Sequence, residues 1–107
     1  MLDINLLREK PQDVKRKLRH LNADPAQVDE ILALDERRRE ILTEVEALRA
    51  ERNRVSKQIG RMKDQAERER LIAAMREVGQ RIDDLDAGLD QVEDALNEAL
   101  LAVPNLP

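Results

Sequence analysis

Apolar residues recur along this chain at alternating intervals of three and four. In the C-terminal half Leu71, Met75, Val78, Ile82, Leu85, Leu89, Val92, Leu96, Ala99 and Val103 keep that rhythm without a break. Upstream, Ile31, Leu34, Arg38, Ile41, Val45, Leu48, Arg52, Val55, Ile59 and Met62 keep it too. Two apolar positions in seven return a narrow stripe to one side of an α-helix, and a repeat sustained this long marks a coiled coil. The spacing predicts two rods, at about 25–63 and 66–102, with a tip at about 60–68. At about 1.5 Å per residue the first rod would extend roughly 58 Å. Asp24-Pro25-Ala26-Gln27 is its start signal, with a capping carboxylate followed by proline at the first helical position. Pro104 and Pro107 stop the second rod.

The link between the rods is short, so an antiparallel hairpin is expected, each rod burying the other's stripe. Ahead of it, Leu2, Ile4, Leu6 and Leu7, then Val14, Leu18 and Leu21 behind Pro11, read as a short helical segment. The expected fold is all-α: a long two-helix antiparallel coiled-coil hairpin with a small N-terminal helical base. Residues 1–23 form the base, 24–103 the arm and 104–107 the start of a linker. Pairing Met62 with Leu71, and so on down to Ile31 with Val103, makes partner numbers add alternately to 133 and 134. That register buries every stripe residue and is preferred. A slide of one heptad, to 126 and 127, also satisfies the pattern, and Asp64 with Glu67 favours it by capping the returning rod as early as Gln65.

Composition narrows the function. The 107 residues are 41% hydrophobic and 39% charged with no aromatic residue, which suits a narrow seam better than a broad core. The absence of cysteine removes disulfides and thiolate chemistry, and one histidine, His20, makes an imidazole metal site or triad improbable. No window approaches the roughly 18 apolar residues of a membrane span, so no membrane partner is expected. The acid pairs Asp83-Asp84 and Asp86-Asp90 lack the looped oxygen cage of a calcium site. No catalytic residue, cofactor site or metal site is expected in this chain.

Charge is unevenly placed. Residues 1–48 hold nine Lys/Arg against eleven Asp/Glu, 49–81 hold ten against five, and 82–107 hold none against seven. The basic middle surrounds the hairpin's tip. Arg54, Lys57 and Arg61 recur at intervals of three and four on the outward face, Arg49 and Lys63 flank the stripe, and Arg52 lies on it. A basic tip on an acidic stem suits a polyanion, because Lys and Arg neutralise phosphates and release counterions. The plainer reading is a solvated face with helical ion pairs such as Glu77 with Arg81. Without aromatics there is no platform for stacking splayed bases, so a nucleic acid would be gripped by backbone and shape. Arg38 and Arg52 are expected to lay their stems along the seam with wet guanidiniums, Met62 and Met75 to fill it, and Gly60 to cap the first rod.

These parts resemble the N-terminal arm of seryl-tRNA synthetase of the bacterial type. The matching features are Met1-Leu2-Asp3-Ile4 with Leu7-Arg8 and Pro11; Leu34-Asp35-Glu36-Arg37-Arg38; Glu51-Arg52-Asn53-Arg54-Val55-Ser56-Lys57-Gln58-Ile59-Gly60; and Val103-Pro104-Asn105-Leu106-Pro107. The resemblance implies an arm that crosses a homodimer in the cytoplasm and holds the long variable arm of serine tRNA by backbone and shape. It makes Arg52, Asn53, Ser56 and Lys57 tRNA-contact candidates by position; Arg49, Arg54 and Arg61 join them on charge alone. It also implies a parent enzyme whose class II catalytic domain uses ATP and Mg2+ to serylate tRNA. No motif of that domain occurs in these residues, so an excised or truncated arm is expected. The competing expectation is a coiled-coil spacer or protein-interaction module with no RNA role.

Overall fold

The computed structural model describes residues 4–103. The opening Met1-Leu2-Asp3 and the closing Pro104-Asn105-Leu106-Pro107 lie outside the described residues. Four α-helices follow one another: α1 Ile4–Glu9, α2 Pro11–His20, α3 Ala26–Arg61 and α4 Gln65–Ala102.

Local chemistry sets each boundary. Pro11 stands in the first turn of α2, where its missing N–H has no intrahelical role. The helix ends because Asn22 takes the left-handed conformation, φ 58°, which a short polar side chain tolerates. The Ala23 and Asn22 amides then close back on the Leu18 and Arg19 carbonyls at 2.9 and 3.1 Å, the paired bonds of a Schellman turn. Asp24 caps α3, its Oδ1 accepting from the Ala26 amide at 2.9 Å. Asp64 does the same for α4, accepting from the Ala66 amide at 3.1 Å. The returning helix therefore starts at Gln65, and residues 62–64 alone join it to α3. Gly60 is not a cap, contrary to expectation: it lies inside α3, and no glycine has positive φ.

The chain forms two compact units. Among the described residues the first comprises 4–39 with 91–103. In it α1 and α2 bury Leu7, Val14 and Leu18 against Val28 and Ile31 of α3, Leu96 and Leu100 of α4, and Val103 just past its end. Each such side chain contributes about 1.5–3 kcal/mol when fully buried. One carboxylate is buried with them. Asp35 is fully covered, and the Arg8 guanidinium grips it with two bonds, Nε to Oδ2 at 2.7 Å and Nη2 to Oδ1 at 2.6 Å. Arg39 Nε lies 3.2 Å and Arg38 Nη2 3.8 Å from the same carboxylate. The Arg38 side chain is 31% exposed, and its Nε is buried without a hydrogen-bond partner.

The second unit comprises residues 40–90. Its seam is Ile41, Val45 and Val55 of α3 with Ile82 and Leu85 of α4, all buried. Two ion pairs cross it: Arg81 Nη2 to Glu44 Oε1 at 3.0 Å and Arg49 Nη2 to Asp86 Oδ2 at 3.1 Å. Glu44 and Arg81 each precede an a position of the heptad, and Arg49 and Asp86 each follow a d position. Reversing one helix is what brings like flanks together, so the pairing is that of an antiparallel coiled coil. The residue numbers of these pairs add to 125 and 135, centring on 130. That register falls midway between the two expected from the sequence and replaces both. Antiparallel helices set an a residue across from a d residue, Val45 with Leu85 and Leu48 with Ile82. Both expected registers set a across from a.

Candidate nucleic-acid interface

The basic segment of unit 2 lies on the α3–α4 turn and the two helical stretches leading to it. Along α3 no acid follows Glu51 until Asp64, while Arg52, Arg54, Lys57, Arg61 and Lys63 fall between. Arg54, Lys57 and Arg61 are exposed, as are Asn53 and Ser56. Arg52 is half-buried, consistent with its seam position.

Partnership separates these cations into two sets. Arg49 and Arg81 are neutralised across the helices by Asp86 and Glu44, and Arg70 lies 3.4 Å from Glu67 in its own helix. Among the described residues Arg52, Arg54, Lys57, Arg61, Lys63, Arg68 and Arg76 have no such partner. The register gives the reason. One heptad closer to the turn, the flank positions that held Arg49 and Asp86 hold Ser56 and Gly79, and those of Glu44 and Arg81 hold Glu51 and Ala74. No cross-helix acid faces a cation there. Of the seven candidates, then, Arg49 is tied into the coil, while Arg52, Asn53, Arg54, Ser56, Lys57 and Arg61 remain available.

Arg52 and Ser56 come together with α4 in a shallow groove of about 370 Å³, lined also by Ile59, Ile72, Met75 and Arg76. Ile72 is 37% exposed, a large apolar side chain where the flank would ordinarily be polar. Its signal in the sequence is an isoleucine immediately after seam residue Leu71. The groove has a cation at each side and an apolar floor, which concentrates a positive field. Gly60 and Gly79 keep the neighbouring surface low: a Cβ at either would meet nothing within 4 Å. Packing does not require glycine at these positions. The arrangement offers point charges and a smooth surface. Among the described residues no group of three or more His, Cys, Asp or Glu side chains could hold a metal ion, and no helix is long and apolar enough to cross a membrane.

Comparison with known proteins bears on the partner. A family model described as the seryl-tRNA synthetase N-terminal domain matches residues 1–107. The serine–tRNA ligase of Chloroflexus aurantiacus is 52% identical over 107 residues, covering 100% of this chain and 25% of that protein. That of Roseiflexus sp. is 54% identical over the same span, again 25% of its length. A crystal structure of seryl-tRNA synthetase from Pyrococcus horikoshii complexed with ATP superposes with a TM-score of 0.88 and 38% identity, over 98% of this chain and 24% of that one. The chain spans about a quarter of the length of the curated relatives it matches.

Proposed function

Since the chain belongs to the seryl-tRNA synthetase N-terminal domain family, we propose that it is a tRNA-holding arm whose α3–α4 turn grips the long variable arm of serine tRNA. The observation that carries this reading is the division of the cations. Arg49 and Arg81 are spent on the coil, while among the described residues Arg52, Arg54, Lys57 and Arg61 make no ion pair. Unneutralised Lys and Arg on a rigid helix face meet phosphates at the distances the helix sets, whatever the base sequence. Double-helical RNA exposes its backbone and 2′-hydroxyls, so recognition by shape suits a surface without aromatic side chains.

In this reading the arm orients tRNA for serylation by a class II catalytic domain of the parent enzyme, a cytoplasmic homodimer in which the arm of one subunit serves the other. ATP and Mg2+ belong to that domain. No catalytic step is assigned to the residues of this chain.

Titration of the 107-residue chain with serine tRNA, intact or lacking its long variable arm, at two salt concentrations tests the proposal. Affinity is expected to fall when the variable arm is removed and to fall with salt by a log–log slope of about 0.7–0.9 per phosphate neutralised. Replacing Arg54, Lys57 and Arg61 with Ala is expected to take roughly 2–3 off that slope and to leave thermal unfolding nearly unchanged. Affinity indifferent to salt, to the variable arm and to the triple substitution would refute it and leave a coiled-coil spacer.

A further inference from the structure

Unit 1 carries a second cationic surface, on α2. Residues 10–20 hold Lys10, Lys15, Arg16, Lys17, Arg19 and His20 with a single acid, Asp13. Val14 and Leu18 turn inward into the core, so nearly all the remaining circumference of the helix is basic. Two of these charges are answered: Lys15 Nζ lies 2.9 Å from Asp29, and Arg16 is hydrogen-bonded to Asp13. Among the described residues Lys10, Lys17, Arg19 and His20 have no side-chain partner. Lys10 and Lys17 stand seven residues apart on one side of the helix, roughly 10 Å. Beside them a half-open cleft of about 400 Å³ is lined by the apolar Leu6 and Val14, by Lys10, Lys17 and His20, and by the ion-paired Asp13 and Arg16.

Ordinary helix chemistry explains part of this. Lys17, Arg19 and His20 occupy the last turn of α2, where cations offset the negative end of the helix dipole. Lys10 stands between two helices: its amide bonds to the Leu6 carbonyl at 2.9 Å, closing α1, where a cation is likewise favourable. It is also the N-cap of α2, where it makes no side-chain capping bond and its charge is unfavourable, so the two helix ends oppose each other at this residue.

We propose that this α2 face is a second contact surface for the phosphodiester backbone of double-helical RNA, separate from the α3–α4 turn. The inference rests on the nucleic-acid reading of the chain and extends it to unit 1. Phosphate is the ligand class because what the surface presents is unpaired point charge beside the apolar Leu6 and Val14. An acidic helical peptide would need apolar anchors recurring at three, four and seven residues, and the cleft offers only Leu6 and Val14.

Amide chemical-shift mapping of the whole chain tests this, with a 20-base-pair RNA duplex of arbitrary sequence and with poly-glutamate at equal charge concentration. A variant with Arg54→Gln, Lys57→Gln and Arg61→Gln is mapped alongside. The expected result is RNA-induced shifts over residues 10–20 that persist in that variant and are much smaller with poly-glutamate. Replacing Lys10, Lys17 and Arg19 together with Gln is expected to lower duplex affinity about tenfold at low salt and to reduce the salt slope by about 2. Shifts at the α3–α4 turn without shifts in residues 10–20 would overturn the α2 surface and leave the function above standing. No shifts at either place would overturn both. Equal shifts from poly-glutamate would overturn it in favour of an acidic protein partner. Mapping on the unmodified chain needs no substitution, so a misfolded variant does not blunt the test.

Discussion

Truncating Arg8 isolates the energetics of the buried carboxylate in unit 1. Asp35 has no exposed side-chain surface, and its two shortest contacts, 2.6 and 2.7 Å, both come from Arg8. Removing one member of a buried pair costs about 3–5 kcal/mol, because the remaining charge stays out of water. Arg39 Nε remains 3.2 Å away but on a side chain 56% exposed, and water enters the space Arg8 vacates. Arg8→Ala is therefore expected at the low end, about 3 kcal/mol. With no aromatic residue in the chain, far-UV circular dichroism during urea unfolding is the natural probe. At an m-value of about 1–2 kcal/mol/M the midpoint should fall by roughly 1.5–3 M. Replacing both partners, Arg8→Met with Asp35→Leu, should recover most of the loss, since apolar side chains need no partner.

Acid supplies a second readout. Hydrogen bonding from Arg8 is the main influence holding the Asp35 carboxyl below its ordinary 3.8, helped by the Arg8, Arg39 and Arg38 charges, while burial pushes it up. A depressed folded value means the contribution is fully present above the unfolded value and is lost as pH falls through the folded one. Wild type should therefore lose stability progressively below about pH 3.8. Arg8→Ala, with the main depressing influence gone, should lose less over the same interval, so the two proteins converge in acid. A cost below about 1 kcal/mol, or parallel pH profiles, would refute the account of Asp35 as a buried pair held by Arg8.

Two further outcomes follow from the helices themselves. Because a Cβ at Gly60, Gly79 or Gly88 meets nothing within 4 Å, Ala at each should stabilise by up to about 1 kcal/mol, read as a higher melting temperature; destabilisation would show an unrecognised backbone requirement. Asp64→Ala removes the acceptor for the Ala66 amide and should cost about 1 kcal/mol; amide exchange in the first turn of α4 should speed up, with little change in the core around Leu7 and Val28.

Much of this architecture was legible in the sequence because its signals are local. The heptad stripe, Asp24 and Asp64 with the helices they cap, and Pro11 each act within a turn or two of themselves. The register was not legible in the same way. Counting stripe residues that can be paired favours the longest overlap, whereas side-chain geometry demands a opposite d, and the Glu44–Arg81 and Arg49–Asp86 pairs report the latter. Asp35 was invisible because the heptad places it beside the seam, where acids are usually wet; it is covered by Arg8, 27 residues away. The basic face of α2 was hidden by averaging, since the same block of sequence holds more acids than bases. At the turn, charge pattern alone marked the region, but only side-chain contacts separated Arg49 from Arg54, Lys57 and Arg61.

The contrast between neutralised and unneutralised cations is itself informative. Around Asp35 three guanidiniums converge on one carboxylate, so charge there serves the core. Between Arg52 and Lys63 five cations share no acid, and Arg54 with Lys57 and Lys57 with Arg61 stand at spacings of three and four. Each like-charge pair at such spacing destabilises a helix by about 0.2–0.5 kcal/mol. A face selected only to stay hydrated would interleave glutamates and turn each penalty into a gain of similar size. The favourable placement of Arg61 near the negative end of α3 offsets a fraction of a kcal/mol but does nothing for Arg54. Helix stability is given up along this face, where glycine at position 60 weakens the same helix further. On the proposed function, a bound polyanion would account for the unpaired charge, because it would supply the missing counter-charge from outside.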